Sequence, residues 1–255
     1  MEHYIIDAHI HPYITDKCNI ARFGHPTTTA ECMDELRRCG IQKCCGSVIS
    51  KTETFEDMLE MNRDALRLRD MYPDFYIPGI HIHGDYPDES CKELETMYHE
   101  HGVRWIGELV AYSMKIGSYD SPGMFRIYET AQKLGMPVNI HCSDLPVIES
   151  ILQNFPEMNL VIAHPEDIGT VTKRIDLVSR YKNAYLDISG TGLFRWGMLR
   201  YAVDQCGSEK ILFGSDFPIC SPGMNIGGVL AEHMTDAELK NVFADNFLRL
   251  IGESA

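Results

Sequence analysis

The sequence lacks several features that would assign it to other classes of protein. It has no stretch of about 18 apolar residues, so no membrane-spanning helix is expected. No GxGxxG motif follows the first apolar run, which removes the main sign of a dinucleotide-binding fold. No low-complexity run or flexible linker divides the 255 residues, so we expect one domain over residues 1–255.

Signs of secretion are missing as well. The first residues show no basic segment followed by an apolar one, as a secretory signal peptide would. The nine cysteines form no CxxC pair, and an odd number fits poorly with a complete set of disulfides. We therefore expect reduced thiols in a cytoplasmic protein.

Basic residues are few relative to acidic ones. Lysine and arginine total 23 against 37 aspartate and glutamate, for a formal net charge of −14. This charge repels polyanions at long range, although a bound dication would reverse the local sign. We predict a small-molecule substrate and expect neither nucleic acid nor a membrane as partner.

Short apolar runs alternate with longer amphipathic segments eight times. The runs are residues 3–8, 41–49, 75–82, 103–107, 136–140, 159–163, 184–188 and 210–213. The predicted helices are residues 28–40, 55–71, 88–101, 122–134, 145–154, 168–180, 193–206 and 235–251. Near-continuous apolar strands alternating with helices indicate a parallel sheet covered on both faces. Eight units in this length favour a (β/α)8 TIM barrel over an open doubly wound sheet.

Histidines and carboxylates fall where the predicted strands end. They are His9 and His11 after the first run, then Glu108, His141, His164 and Asp216 after the fourth, fifth, sixth and eighth runs. Alternate strand residues share a face, so His9 and His11 can bind one ion together. Each residue alone has an ordinary structural explanation, but the active site of such barrels lies at this end of the strands. Together they predict a site for Zn²⁺ or a related dication.

The number of ions stays open in this pattern. Four histidines and two carboxylates exceed the needs of one tetrahedral site. They could hold two ions with Glu108 as a bridge. A single ion, with Glu108 contacting only its bound water, is the alternative.

Five segments of the chain resemble the amidohydrolase superfamily, most closely its amidohydrolase-related (amidohydrolase-2) branch. They are Asp7-Ala8-His9-Ile10-His11, Pro137-Val138-Asn139-Ile140-His141, Val161-Ile162-Ala163-His164-Pro165, the segment Ile211 to Pro218, and the tail Asp245 to Ile251. The resemblance covers nearly the whole chain in the right order. It implies a metal-dependent TIM-barrel hydrolase, with zinc as the first choice of metal and manganese as the second, and a homodimer.

The resemblance also implies individual roles. His9, His11 and His141 would bind the first metal, and His164 a second metal or the substrate. Asp216 would be a ligand and the general base, with His164 as the other catalytic residue. The superfamily often has a carboxylated lysine where this chain has Glu108, although TatD-type deoxyribonucleases place a bridging glutamate there.

Further residues are candidates for supporting the site or binding substrate. Asp7 shares a face with the two histidines and either orients them or is a buried structural acid. His81, Arg22 and Arg195 are predicted substrate contacts from the ends of strands and from loops, and His25 and Lys115 lie in similar loops. Cationic contacts would favour a carboxylated substrate. Specificity is expected to depend on loops 12–27 and 219–228, whose shapes the sequence does not predict.

Three functions are compatible with these residues. The first is hydrolysis of a small amide, lactone or other ester by a metal-activated water. The second is decarboxylation or hydration of a small carboxylic acid, which the resembling branch also carries out. The third is a barrel that binds metal without catalysis, against which the six ligands and a base argue. TatD-type deoxyribonuclease activity is a narrower variant that the net charge disfavours.

Overall fold

The computed structural model describes residues 3–52 and 54–253 and contains eight parallel strands in one sheet. The strands are β1 Ile6–Ile10, β2 Lys43–Ser47, β3 Tyr76–Ile80, β4 Trp105–Leu109, β5 Val138–Ile140, β6 Leu160–Ala163, β7 Ala184–Asp187 and β8 Ile211–Leu212. Each strand pairs with the next in sequence order. The predicted fold class is therefore confirmed: the chain is a (β/α)8 barrel.

Backbone hydrogen bonds between the first and last strands close the sheet. The amide of Ala8 donates to the carbonyl of Phe213 over 2.9 Å, and the amide of His11 donates to Phe217 over 2.8 Å. Between them, the amide of Asp216 donates to the carbonyl of His9 over 2.8 Å. These bonds bring the segment after β8 beside the end of β1, where two of the predicted ligands lie.

Helices follow the strands at most of the positions that the sequence predicts. They are α1 Thr29–Arg38, α2 Phe55–Met71, α3 Pro87–His99, α4 Ala111–Met114, α5 Pro122–Leu134, α6 Leu145–Asn154, α7 Ile168–Arg180, α8 Met198–Cys206, α9 Pro222–Leu230, α10 Asp236–Lys240 and α11 Asn246–Leu250. A π-helical turn, Asn241–Asp245, joins α10 to α11. Thr235 and Glu238 form the reciprocal hydrogen bonds of a capping box at the start of α10, where the last predicted helix begins.

Two regions of helix differ from the prediction. The helix predicted from residue 193 begins at Met198, because Gly197 has a left-handed backbone (φ 83°) and forms the cap. Helix α9, Pro222–Leu230, begins within the predicted loop 219–228 and ends two residues beyond it. Its three glycines disfavour a helix in isolation, but Ile226 and Val229 are buried against the barrel. Packing therefore decides the conformation of this segment.

Besides the main hydrophobic core, a smaller apolar cluster joins strand residues to the C-terminal helix. It includes residues from seven strands, and each of them precedes the predicted ligands or loop residues at the carboxyl end of the barrel: Ile6, Cys45, Ile77, Trp105, Val161, Tyr185 and Leu212. Phe247 of α11 packs on the Trp105 ring with centroids 5.1 Å apart. Polar groups are thus concentrated at the other end of the strands. In the described part of the chain, residues 3–52 and 54–253, no helix combines the length and apolarity needed to cross a membrane.

Candidate metal centre

The six predicted ligands meet at the carboxyl ends of the strands. His9 and His11 belong to β1 and its end, Glu108 to β4, and His141 and His164 follow β5 and β6. Asp216 follows β8. His141 is partly exposed and the other five are buried. Residues separated by more than 200 positions in the sequence therefore share one pocket.

One set of donor atoms surrounds one oxygen of Glu108. Nε2 of His9 and Nε2 of His11 are 3.3 Å apart, and each lies 3.4 Å from Oε2 of Glu108. Oδ1 of Asp216 lies 3.8 Å from Nε2 of His9 and 3.5 Å from Nε2 of His11. We call these four donors the buried half of the site.

A second set surrounds the other oxygen of the same carboxylate. Oε1 of Glu108 lies 3.1 Å from Nδ1 of His141 and 3.0 Å from Nε2 of His164. These two nitrogens are 3.1 Å apart. We call these three donors the open half of the site, because it contains His141, whose side chain is the most exposed of the candidate ligands at 30%.

Both sets have the spacing that a dication requires. Zinc binds nitrogen and oxygen at about 2.0–2.2 Å, so its ligands lie about 3.0 to 3.5 Å apart, depending on the coordination angle. The separations in the open half, 3.0–3.1 Å, and in the buried half, 3.3–3.5 Å, lie in this range, and only the 3.8 Å between Nε2 of His9 and Oδ1 of Asp216 is slightly longer. Unprotonated imidazoles and carboxylates are also the donor types that zinc and manganese bind.

The two histidines of the buried half are held in place by hydrogen bonds from Nδ1, the ring nitrogen that points away from the other donors. Nδ1 of His11 lies 3.1 Å from the carbonyl oxygen of Ser47. Because a carbonyl oxygen can only accept a hydrogen bond, Nδ1 carries the ring proton. The lone pair of Nε2 is then free to bind a metal ion. Nδ1 of His9 donates in the same way to Oδ2 of Asp187 over 2.5 Å. A carboxylate in this position fixes the ring and increases its basicity.

Asp187 was missed by the sequence analysis. It lies at the end of β7, so its position is the same as that of the predicted ligands. The seventh apolar run, residues 184–188, continues one residue past Asp187, so the pattern does not mark this acid as the end of a strand. Asn139 of β5 donates to the same Oδ2 over 3.2 Å, which further fixes the carboxylate.

The electrostatics of the cluster favour a bound cation. Burial would raise the pKa of Glu108, but the surrounding histidines hold it well below its usual range. Burial likewise opposes protonation of His9, yet Glu108 and Asp187 raise its pKa well above the usual value. These carboxylates therefore require positive charge, and a dication can supply it while leaving the imidazoles unprotonated.

Two of the six candidates have an unusual backbone. His164 and Asp216 have φ values of 68° and 66°, in the left-handed region that residues with side chains rarely adopt. Asp7 supports the second turn by accepting the Ser215 amide over 2.9 Å and also its hydroxyl. Of the two roles left open for Asp7, the contacts fit the structural one, since it bonds backbone and hydroxyl groups and no imidazole.

A cavity of about 680 Å³ opens above the cluster. Arg22 and Lys51 contribute cations to its wall, and Tyr112 packs edge-on against the His141 ring at 5.6 Å. Neither Arg22 nor Lys51 has an ion pair with any residue in 3–52 or 54–253. The cavity therefore offers two cations without a counter-ion among the residues that the structure describes.

The other two predicted substrate contacts do not reach this wall. Nε2 of His81 donates to the carbonyl of Val48 over 2.7 Å, and burial lowers its pKa to about 4. Arg195 donates to the carbonyl of Glu166 over 2.6 Å and lies against the Phe194 ring. Neither residue is part of the cavity lining, and their role as substrate contacts stays a prediction. Of the neighbouring loop cations, His25 is exposed and Lys115 lines a separate small pocket.

Residues 6–252 match the family model described as amidohydrolase (Amidohydro_2). This chain belongs to the amidohydrolase family. That family is one of metal-dependent enzymes, and the predicted resemblance is confirmed. No curated protein matches the sequence.

Solved structures of amidohydrolase-type barrels share the fold at low sequence identity. A 2,6-dihydroxybenzoate decarboxylase from Rhizobium is 15% identical, with a TM-score of 0.74 over 98% of both chains. An amidohydrolase II is 19% identical, with a TM-score of 0.76 over 98% of this chain and 100% of that one. A 5-carboxyvanillate decarboxylase from Novosphingobium aromaticivorans, solved with manganese and 4-hydroxy-3-methoxy-5-nitrobenzoic acid, is 14% identical, with a TM-score of 0.70 over 98% and 96%. At this identity the likeness establishes the fold.

Proposed function

We propose that this amidohydrolase holds two divalent ions and hydrolyses a small amide, lactone or other ester in the cavity above them. The observation that carries the proposal is the position of Glu108, whose two carboxylate oxygens each belong to a different donor set. A carboxylate shared in this way bridges two ions roughly 3.5–4 Å apart in many hydrolytic enzymes. Zinc is our first choice and manganese the second, because the donors are imidazole and carboxylate.

The protein groups around the ions would divide the chemical work. Bound dications polarise a substrate carbonyl and generate a nucleophile from water at neutral pH. Asp216 lines the cavity, so its carboxylate can accept the proton released by the attacking water and return it to the leaving group. His9 and His11 hold their donor nitrogens in place through Asp187 and the Ser47 carbonyl.

Metal analysis of Glu108→Gln tests the two-ion arrangement. We expect about two equivalents of zinc or manganese in the wild-type protein purified from supplemented medium, and about one fewer in the variant, because the amide is a poor bridge. Glu232→Gln is the matched control, since Glu232 is also buried but accepts the Gly197 amide away from the cavity. A wild-type protein without metal would refute the site, and unchanged metal content in Glu108→Gln would refute the bridge.

The cavity wall supports a substrate with an anionic group. Arg22 and Lys51 lie in the wall with no carboxylate partner among residues 3–52 and 54–253, although acidic residues outnumber basic ones in this chain. Guanidinium and ammonium groups bind carboxylates well. We therefore propose that the substrate is a carboxylated amide, lactone or ester.

Arg22→Met tests this substrate class. We expect KM for carboxylated substrates to rise about tenfold or more, because a charge-assisted hydrogen bond contributes about 1.5–3 kcal/mol. The KM of neutral analogues should not change, and Lys43→Met on β2, outside the cavity lining, serves as the control. Equal effects on charged and neutral substrates would contradict recognition of an anion.

Decarboxylation of a small acid is the second candidate. Structures of decarboxylases acting on 2,6-dihydroxybenzoate and 5-carboxyvanillate share this fold over nearly the whole chain. A screen of lactones, amides and aromatic or unsaturated carboxylates separates the two reactions. Release of CO2 without consumption of water would favour decarboxylation over hydrolysis.

A further inference from the structure

A fully buried arginine lies behind the open half of the site. Arg174 is on α7 and has no exposed surface. Burying a guanidinium is costly unless several acceptors surround it. The groups that accept hydrogen bonds from Arg174 therefore indicate which parts of the structure this residue stabilises.

The acceptors of Arg174 are the strand ends that carry two candidate ligands. Nη1 donates to the carbonyl of Ala163 over 2.8 Å and also to the carbonyl of His164. Nη2 donates to the carbonyl of Cys142, the residue after His141, over 2.8 Å. One planar group thus ties the backbone after β5 to the backbone after β6.

Glu166 completes the arrangement. Its Oε1 accepts from Nη2 of Arg174 over 2.7 Å and from the hydroxyl of Ser143 over 2.8 Å. Its own backbone is left-handed (φ 61°), like that of His164 two residues earlier. Such a turn persists only where its surroundings hold it. Arg174 holds it at the His164 carbonyl and at the Glu166 side chain, and Arg195 donates to the Glu166 carbonyl.

We propose that Arg174 and Glu166 are positioning residues that set the separation of His141 and His164, and thereby the affinity of the open half for its ion. The inference rests on the proposed metal function. Arginine suits this role because its rigid fork reaches several fixed acceptors at once. A lysine at the same place keeps the charge but cannot span both strand ends.

Metal affinity measured separately for each ion tests the proposal. Chelator competition with zinc and with manganese gives the two dissociation constants, and His141→Ala and His11→Ala identify which ion belongs to which half. In Arg174→Lys we expect the ion that His141→Ala removes to bind about 10–100-fold more weakly, as is typical when groups behind metal ligands change. The ion that His11→Ala removes should keep its affinity. Arg180→Lys is the control, because Arg180 lies on the same helix in an exposed pair with Glu149.

The outcomes separate this proposal from the one on which it rests. Wild-type protein without metal refutes the metal centre itself. Wild-type protein with metal, together with affinities in Arg174→Lys that are unchanged or equally weakened for both ions relative to wild type, refutes the positioning role and leaves the centre intact. If Arg174→Lys does not fold, Glu166→Gln at its partly exposed position replaces it. The same selective weakening is then expected, and unchanged affinity of the open half would overturn the proposal.

Discussion

The two halves of the site differ at one histidine: His164 is fixed from behind its ring as His9 and His11 are, whereas His141 is not fixed in this way by any described residue. In the buried half, His9 and His11 are at most 2% exposed, and each has a hydrogen-bond acceptor behind its ring. In the open half, the His141 side chain is 30% exposed. Its Nδ1 faces Glu108, and no described residue is hydrogen-bonded to its Nε2. The His164 ring and the mostly exposed Tyr112 ring contact it, with centroid distances of 4.8 and 5.6 Å.

This difference suggests a division of tasks between the halves. A ligand fixed by a carboxylate or carbonyl loses little freedom when it binds an ion, so the buried half is preorganised. The open half depends on its backbone turns, because its outer ring faces the cavity and not the protein. We therefore expect the buried half to bind its ion more tightly than the open half does. We expect the ligands of the open half to change position more when substrate binds.

The largest effect should come from Asp216, which belongs to the buried half and lines the cavity. In Asp216→Asn, turnover should fall by about 10²–10⁴-fold, because the amide cannot accept the proton from the attacking water. The variant is measured with the best substrate from the screen, and its circular dichroism checks the fold. Asp176→Asn on the exposed face of α7 is the control. Undiminished turnover in Asp216→Asn would remove this residue as the base.

The sequence predicted where the six candidate ligands lie in space, because each one lies at or just after the carboxyl end of an apolar strand. In a parallel barrel the carboxyl ends of all strands meet at one rim, so the position of His141 or His164 in sequence implies its position in space. No such rule connects a loop residue to a direction, which explains why Arg22 reaches the cavity and Arg195 does not. The barrel itself followed from the same periodicity.

Other parts of the site depend on contacts that a single sequence does not show. Arg174 lies in the middle of a helix, where an arginine is normally solvated, and its burial follows from packing beneath two strand ends. Helix α9 is a similar case, since its glycines argue against a helix that its buried face stabilises. Asp187, by contrast, was within reach, because an acid at a strand end is the same signal that identified Glu108.

A change in Asp187 sharpens the comparison, with a smaller expected effect than the loss of the base. Asp187→Asn should lower the affinity of the buried half for its ion about 10–100-fold, because the amide fixes the His9 ring less firmly and does not increase its basicity. The ion of the open half should be affected less, since Asp187 hydrogen-bonds the His9 ring, whereas neither His141 nor His164 hydrogen-bonds to it. Chelator competition measures both constants, and Asp64→Asn at a buried position on α2 is the control. An equal loss of metal affinity in both halves would contradict the prediction that Asp187 supports mainly the buried half.

The smallest effect is expected at the one hydroxyl group that contacts an imidazole from each half. Oγ of Ser189 lies 2.9 Å from Nδ1 of His9 and 3.1 Å from Nδ1 of His164. Both rings keep a second acceptor in Ser189→Ala, since Asp187 remains for His9 and the Ser189 backbone carbonyl, at 3.3 Å, remains for His164. We therefore expect less than about a tenfold loss of affinity, shared by both ions, which is below the usual effect of removing a group behind a ligand. A large loss confined to one ion would show that the hydroxyl supports only that half, and the two halves would then be coupled through Glu108 alone.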